Sequence, residues 1–198
     1  MNFNTQLQII LASQSPRRKE LFSMLGVPFS IETSNVEETS VQADTVPNYV
    51  KGVALLKTRD VASKCPNQLV IGADTIVVYK GQLLHKPKDA EEAKRHLQAL
   101  SNDVHSVMTA VAIIAPDGKE TVFVEETKVY FKVIPEPLMR AYIASGDPFD
   151  KAGGYGIQTH GALFVEKIEG DYNNVVGLPL AALVEHLLAL GYISIEGV

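Results

Sequence analysis

An aspartate inside an apolar segment is the residue of this sequence whose setting points most directly to chemistry. Asp74 stands in the string GADT (72–75), within a run rich in β-branched residues. A carboxylate buried in such a run costs several kcal/mol unless a cation, a metal ion or an open cleft compensates. Asp74 is therefore predicted to be a metal ligand, a general base for water, or both. The structural alternative is a strand-end carboxylate that caps a nearby loop.

A pair of adjacent acids is the second candidate. Glu37 and Glu38 follow each other directly, and two such charges repel unless a cation lies near them. One of them could join Asp74 in an oxygen-rich site of the Mg²⁺ kind, in which few protein carboxylates share the ion with substrate phosphates. A solvated loop is the commoner explanation of such a pair.

Cations are concentrated where the first helix is expected to begin. The segment 13–19, SQSPRRK, offers Ser15 as N-cap, Pro16 as first helical residue, and then Arg17 and Arg18. The helix dipole makes clustered cations unfavourable there unless an anion binds the free backbone N–H groups. A phosphate chain would supply that anion. The alternative is a set of solvated surface cations beside an ordinary cap.

Two lysines and one glutamine are weaker candidates. Lys57 lies on the apolar stripe of a predicted helix and Lys86 precedes a proline, so either could contact phosphate or merely reach the surface or mark a loop. Gln158 ends a glycine-rich stretch, 147–158, whose backbone permits close approach to a ligand. Its amide, with one donor and one acceptor side, suits a nucleobase edge. The alternative is a structural turn cluster; Asn173-Asn174 is interpreted as a turn and cap only.

The elements that must position these residues follow from hydrophobic periodicity and turn signals. Strands are predicted over 7–12, 27–32, 69–79, 104–115, 121–133 and 163–168, and helices over 16–25, 47–65, 89–100, 137–145 and from 179. The two long strands at 104–133 should pair as a hairpin through Pro-Asp-Gly-Lys. Strand–helix crossovers combined with a hairpin predict an α/β fold with a mixed sheet.

Composition narrows the class of protein. The chain has 198 residues, 46% of them hydrophobic, and a formal charge of −5, without a basic footprint for nucleic acid or an anionic membrane. Cys65 is the single cysteine, which excludes an intramolecular disulfide and a thiolate metal site and suits the cytoplasm. The histidines lack zinc-ligand spacing. The sequence shows no leader or membrane-spanning run, so the expected protein is cytoplasmic.

Six segments, in order along the chain, resemble the Maf family of nucleoside triphosphate pyrophosphatases. They are LASQSPRRKEL (11–21), IGADTIV (71–77), KPKDAEEA (86–93), HSVMTAV (105–111), DKAGGYGIQ (150–158) and VVGLPL (175–180). The resemblance covers nearly the whole chain and implies one Maf-like domain over 1–198. It also implies an elongated mixed sheet flanked by helices, with a cleft between two lobes, related to the inosine triphosphate pyrophosphatases.

The resemblance further implies hydrolysis between the α- and β-phosphates with Mg²⁺ or Mn²⁺. Gln158, Thr75 and Arg17 resemble the branch that acts on dTTP and UTP, rather than the 7-methyl-GTP branch. Asp74 would accept the proton of the attacking water and share the metal with Glu38, and Lys57 would join them in catalysis. The triphosphate would be held by Ser13, Arg17, Arg18, Lys57 and Lys86, and the base would be chosen by Arg17, Thr75 and Gln158.

Two other functions remain open at this stage. One is a nucleotide-binding regulator of septation or cell shape without turnover, which would not need Asp74. The other is a structural module, which would not be stabilised by nucleotides. If the protein assembles, a homodimer is the expected form, because closed two-fold assemblies are the commonest.

Overall fold

The computed structural model describes residues 2–197, which form nine strands and six α-helices. The strands are β1 Phe3–Asn4, β2 Ile9–Ala12, β3 Phe29–Ile31, β4 Leu69–Tyr79, β5 Gln82–Leu84, β6 Val104–Ile114, β7 Glu120–Phe131, β8 Val165–Glu169 and β9 Ser194–Ile195. The helices are α1 Pro16–Ser23, α2 Val46–Lys64, α3 Ala90–Leu100, α4 Glu136–Ala144, α5 Tyr172–Val176 and α6 Leu180–Ala189. Short 3₁₀ helices cover Glu38–Ser40, Asp147–Asp150, Ala152–Gly154 and His160–Phe164.

The main sheet has seven strands and is mixed, as predicted. Its order is β3-β2-β4-β6-β7-β8, with β5 paired to β4. Strand β2 runs parallel to β3 and β4, whereas β5 is antiparallel to β4 and β8 to β7. Strands β6 and β7 are neighbours, so the predicted hairpin is confirmed. A second, two-stranded sheet pairs β1 with β9, which the sequence analysis did not predict.

Side-chain caps fix where α1, α2 and α3 begin. The Ser15 hydroxyl accepts from the Arg18 amide at 3.4 Å, and the Asp89 carboxylate accepts from the Glu92 amide at 2.7 Å, as the sequence predicted. Helix α2 begins one residue before its predicted start because Thr45 is its cap. No helix within residues 2–197 combines the length and the apolar character needed to cross a membrane.

The chain divides into two compact units. The first contains the residues up to Asp74, Thr109–Glu125 and the residues from Gly177 onward; the second contains Thr75–Met108 and Glu126–Val176. Buried aliphatic side chains of β2, β4 and α2 pack together in the first unit. The core of the second unit is aromatic as well as aliphatic, with Phe131, Tyr142 and Phe164 in edge contacts. Met1 and Val198, the ends of the predicted domain, lie outside the described residues.

Candidate active site

A lysine between two carboxylates is the charged centre of the first unit. The ammonium of Lys57 lies 2.7 Å from Asp74 Oδ1 and 2.6 Å from Glu38 Oε1. The Asp74 side chain is 12% exposed and that of Lys57 20%, whereas Glu38 is 52% exposed. The buried strand carboxylate therefore has the cationic partner that its apolar surroundings require. Water can still reach all three side chains.

A close approach of α2 to β4 sets this geometry. Gly72 lies two residues before Asp74, and a Cβ atom at that position would lie 2.2 Å from Thr58 Oγ1. The Thr58 hydroxyl is itself held, because it donates to Ala54 O at 2.7 Å. Only glycine leaves room for the helix at this distance. The preceding helical residue, Lys57, is thereby brought within reach of Asp74.

The start of α1 is tied down by Arg18. Its Nε donates to the carbonyl of Gly177 at 2.7 Å and its Nη1 to Ser13 Oγ at 3.4 Å, and the Ser15 amide donates to the same Ser13 oxygen at 3.2 Å. Burial lowers the pKa of Arg18, and the charges of Asp74 and Glu38 oppose that effect. Arg18 is thus a fixed, half-buried cation rather than a solvated one.

Tyr49 is a residue of this region that the sequence analysis missed. Burial raises the pKa of its hydroxyl, and the charges of Asp74 and Glu38 raise it further, with Lys57 acting in the opposite sense. Tyr49 lies two helical turns before Lys57 on α2. Residues spaced by four along a helix share a face, so the 49-53-57 spacing was the available signal.

The other predicted residues are placed as follows. Arg17 is half-buried at the start of α1 in the first unit. Thr75, half-buried, follows Asp74 in β4 and begins the second unit. Lys86 and Gln158 are exposed in the second unit. A hydrogen bond of 3.2 Å from the Gly153 amide to the His85 carbonyl joins the loop of Lys86 to the glycine-rich stretch.

The donor atoms fit a hard divalent cation. Within residues 2–197, no cluster of three or more His, Cys, Asp or Glu side chains is arranged to hold a metal. Two carboxylates, from Glu38 and Asp74, nevertheless converge on one cationic atom. One or two carboxylates plus substrate phosphates form the usual Mg²⁺ site, whereas zinc takes more protein ligands, with nitrogen or sulfur among them. Glu38 and Asp74 are therefore the side chains that would hold such an ion.

Comparison with known proteins identifies the family. The profile of Maf-like proteins matches residues 8–190. The chain belongs to the Maf family. A dTTP/UTP pyrophosphatase of Geobacillus sp. (strain WCH70) is 48% identical over 185 residues, which cover 93% of this chain and 99% of that protein. A second, of Bacillus cereus (strain ATCC 10987 / NRS 248), is 51% identical over 180 residues, covering 91% and 88%.

A solved structure supports the fold of this Maf protein. The HAM1 protein of Coxiella burnetii matches with a TM-score of 0.53 over 93% of this chain and 100% of that one. At 17% sequence identity, the likeness concerns the fold alone. The predicted mixed α/β architecture is thus confirmed by the sheet order and by this match.

One interpretation of the sequence was wrong in this Maf protein. Asn174, expected to act only in a turn and cap, is fully buried within α5. Its amide donates to the Val107 carbonyl at 3.0 Å and to Thr127 Oγ1 at 2.9 Å. A buried amide needs such partners because its desolvation is costly. Asn174 therefore joins α5 to β6 and β7 within the second unit.

Proposed function

We propose that this Maf protein hydrolyses dTTP and UTP to the nucleoside monophosphate and pyrophosphate. The observation that carries the proposal is the convergence of Glu38 and Asp74 on Lys57, with Asp74 inside the segment IGADTIV (71–77) of the resemblance. The two relatives named above, both dTTP/UTP pyrophosphatases, give the substrates.

Asp74 is the proposed proton acceptor. Its carboxylate is nearly buried, so a water hydrogen-bonded to it would be oriented and partly shielded from bulk solvent. Proton removal from the attacking water by a positioned side chain contributes roughly 10²–10⁴-fold to a rate. The ion pair with Lys57, at 2.7 Å, holds the carboxylate in a fixed position.

Lys57 has the donors to join Asp74 to the substrate. An ammonium group has three N–H donors, and Lys57 uses two of them on carboxylates. The third can reach a phosphate oxygen, where positive charge stabilises the spreading negative charge of phosphoryl transfer. A Mg²⁺ or Mn²⁺ ion held by Glu38 and Asp74 would add the charge neutralisation that one ammonium does not supply.

Triphosphate binding and base choice are assigned to the remaining residues. The start of α1 carries the partial positive charge of a helix N-terminus, which favours a phosphate. The side chains proposed to hold the triphosphate with Lys57 are Ser13, Arg17, Arg18 and Lys86. The side chains proposed to choose the base are Arg17, Thr75 and Gln158. Thymine and uracil present an N–H donor beside a carbonyl acceptor, which complements a glutamine amide.

The test is a substrate panel. The purified protein is incubated with dTTP, UTP, CTP, ATP, GTP and 7-methyl-GTP in Mg²⁺ or Mn²⁺, and products are separated by chromatography. We expect pyrophosphate and monophosphate from dTTP and UTP, in a metal-dependent reaction that Asp74→Asn abolishes. Turnover of 7-methyl-GTP instead would overturn the proposed base choice. Nucleotide binding without turnover of any triphosphate would favour the regulator of septation or cell shape.

The cytoplasm is the proposed compartment. The lone Cys65 is half-buried, and a reducing compartment would keep it as a thiol. Cell fractionation followed by immunodetection tests this location. The homodimer stays a prediction, which light scattering of the purified protein would decide.

A further inference from the structure

Gln158 is carried by a short turn in the second unit. The amide of Thr159 donates to the carbonyl of Gly156 at 3.2 Å, which closes a four-residue turn. Gln158 is the third residue of this turn and its side chain is exposed. The position of its amide group therefore depends on how firmly the two ends of the turn are held.

One end is held by a hydroxyl–carboxylate contact. Thr159 Oγ1 lies 2.5 Å from Asp147 Oδ2 and 3.0 Å from Gly156 O, so its proton can bond to either acceptor. The other oxygen of Asp147, Oδ1, accepts from the Lys151 ammonium at 3.0 Å. The Lys151 side chain is only 8% exposed, so Asp147 has a fixed cationic partner.

The other end is held by a tyrosine and by close packing. The Gly156 amide donates to the hydroxyl of Tyr142 at 3.2 Å. A Cβ atom at Gly156 would lie 2.5 Å from Cε of Lys151, so the lysine stem packs directly against the turn. The residue before the turn is fixed as well, because the hydroxyl of Tyr155 lies 2.7 Å from Nε2 of the buried His105.

The firm hold on this turn matters because a glutamine amide can present either its donor or its acceptor to the base. Half a rotation of the amide exchanges its donor and acceptor, so a loosely held glutamine matches uracil or thymine in one state and cytosine in the other. Discrimination between these bases requires that one state be held. A rigid turn limits the positions from which the amide reaches the base.

We propose that Thr159 and Asp147 are positioning residues for base selection, holding the turn 156–159 so that Gln158 distinguishes thymine and uracil from cytosine. This inference rests on the proposed function. In this role Thr159 and Asp147 act through Gln158 rather than by contacting the base or the phosphates themselves. Lys151 acts one step further back, by holding Asp147.

The experiment compares Thr159→Val, which keeps the shape and removes the hydroxyl, with Thr159→Ser, which keeps the hydroxyl. Values of kcat and KM are measured for dTTP, UTP and CTP. Loss of a hydrogen bond to a charged group predicts a KM for dTTP and UTP that rises roughly tenfold in Thr159→Val. We expect kcat to change less than about twofold, selectivity over CTP to fall, and Thr159→Ser to behave as wild type.

A matched control and a second background separate positioning from general stability. Tyr130→Phe removes a hydroxyl that donates to Glu169 at 2.9 Å in the same unit, and it should leave KM unchanged. In a Gln158→Ala background, Thr159→Val should have no further effect on KM, since its effect passes through the glutamine. An equal rise in KM with and without Gln158, or an equal rise in Tyr130→Phe, would overturn the inference.

Two remaining outcomes are also decisive. If Thr159→Val does not unfold cooperatively, Asp147→Asn replaces it, with the same expectations for KM and selectivity. If the wild type is active but Thr159→Val or Asp147→Asn keeps its KM and selectivity, the positioning role alone is refuted. A folded wild type that hydrolyses no triphosphate would instead refute the proposed function.

Discussion

Two lysines of this protein each contact two carboxylates, yet their surroundings differ. Lys57 contacts Glu38 and Asp74, and its side chain is 20% exposed. Lys151 contacts Asp147 and Asp150 as well as the carbonyl of Asp147 at 2.7 Å, and it is 8% exposed. All three donors of Lys151 are used within the protein, whereas Lys57 uses two on carboxylates.

The difference between the two lysines shows that the same set of charges can serve either catalysis or structure. In the closed cluster, Lys151 with Asp147 and Asp150, every ammonium donor is bonded within the protein. This cluster fixes the backbone and exchanges no partner with a ligand. The open cluster, Lys57 with Glu38 and Asp74, has an ammonium donor that neither carboxylate takes, one well-exposed carboxylate and access to water. It can therefore exchange partners when a substrate arrives. Glu38, 52% exposed, is the member most easily released. The pairing of charges alone therefore does not indicate a site.

The largest expected difference between the clusters is in turnover. Asp74→Asn should lower kcat by roughly 10²–10⁴-fold, because a general base is lost. Asp150→Asn, the matched change beside Lys151, should leave kcat within about twofold. Steady-state kinetics with dTTP measures both. Equal losses in the two variants would show that Asp74 has only a structural charge role.

The second difference is in stability. Lys151→Met leaves the Asp147 carboxylate without its buried cation and should lower the free energy of unfolding by about 3–5 kcal/mol. Lys57→Met removes the ammonium that pairs with the buried Asp74, but the charge of Arg18 also acts on that carboxylate, so the loss should be smaller, about 1–3 kcal/mol. Urea unfolding followed by circular dichroism gives both values. A larger loss of stability in Lys57→Met than in Lys151→Met would show that the Lys57 cluster is the structural one.

The third prediction concerns the spacing that creates the open cluster. Gly72→Ala should lower the free energy of unfolding by about 1–3 kcal/mol, because its Cβ would overlap Thr58 Oγ1. The same variant should lose activity, since α2 and Lys57 must move away from Asp74. Thr58→Ala makes room, so the double variant should regain both properties. If the double variant does not recover, the distance between α2 and β4 does not determine the activity.

The fourth prediction tests whether the open cluster exchanges cations. If Glu38 and Asp74 hold a divalent ion, as we propose, Lys57 competes with that ion for the same two carboxylates. Lys57→Met should therefore bind Mn²⁺ roughly tenfold more tightly without nucleotide, a gain of about 1.4 kcal/mol, even though it is a poor enzyme. Titration followed by electron paramagnetic resonance of free Mn²⁺ measures the affinity. Weaker binding would mean that the lysine orients the carboxylates for the ion instead of competing with it.

The smallest expected effect is a pH dependence of the closed cluster. Burial raises the pKa of Asp147, but hydrogen bonds from Thr159, Tyr142 and Lys151 outweigh it and hold that pKa below its usual value. A depressed pKa in the folded state gives stability that is present above the unfolded pKa of about 3.9 and is lost as the pH falls through the folded value. Asp147→Asn should flatten this loss in urea unfolding between pH 6 and 2. An unchanged slope would contradict the assignment.

Much of the fold could be predicted because local signals decide it. Caps at Ser15 and Asp89, and the aliphatic run of β4, depend on residues close in sequence. The strand predicted over 163–168 begins later, at Val165, because a 3₁₀ helix, His160–Phe164, precedes it. There Gly161 packs against the Gly156 backbone, a tertiary contact that periodicity does not report.

The residue types of the site could be predicted from the sequence, but the contacts between them could not. Asp74 and Lys57 were named from their apolar settings, but nothing local indicated that they touch. Their contact depends on Gly72 and on how closely a helix approaches a strand. Tyr49 was missed because one aromatic residue on a helix is usually part of a core. Arg18 was named for its charge, yet its bond to the Gly177 carbonyl links residues 159 positions apart.

The pairing of the first and last strands has a consequence for how the chain folds. Phe3 and Asn4 of β1 find their partners at Ile195 and Ser194 of β9. During synthesis, β1 therefore stays without this partner until β9 has emerged from the ribosome. Such distant pairing implies slow, late closure, because a long loop must lose its entropy first. It also brings residues 3–4 and 194–195 side by side, the closeness that a circular permutation joining them requires.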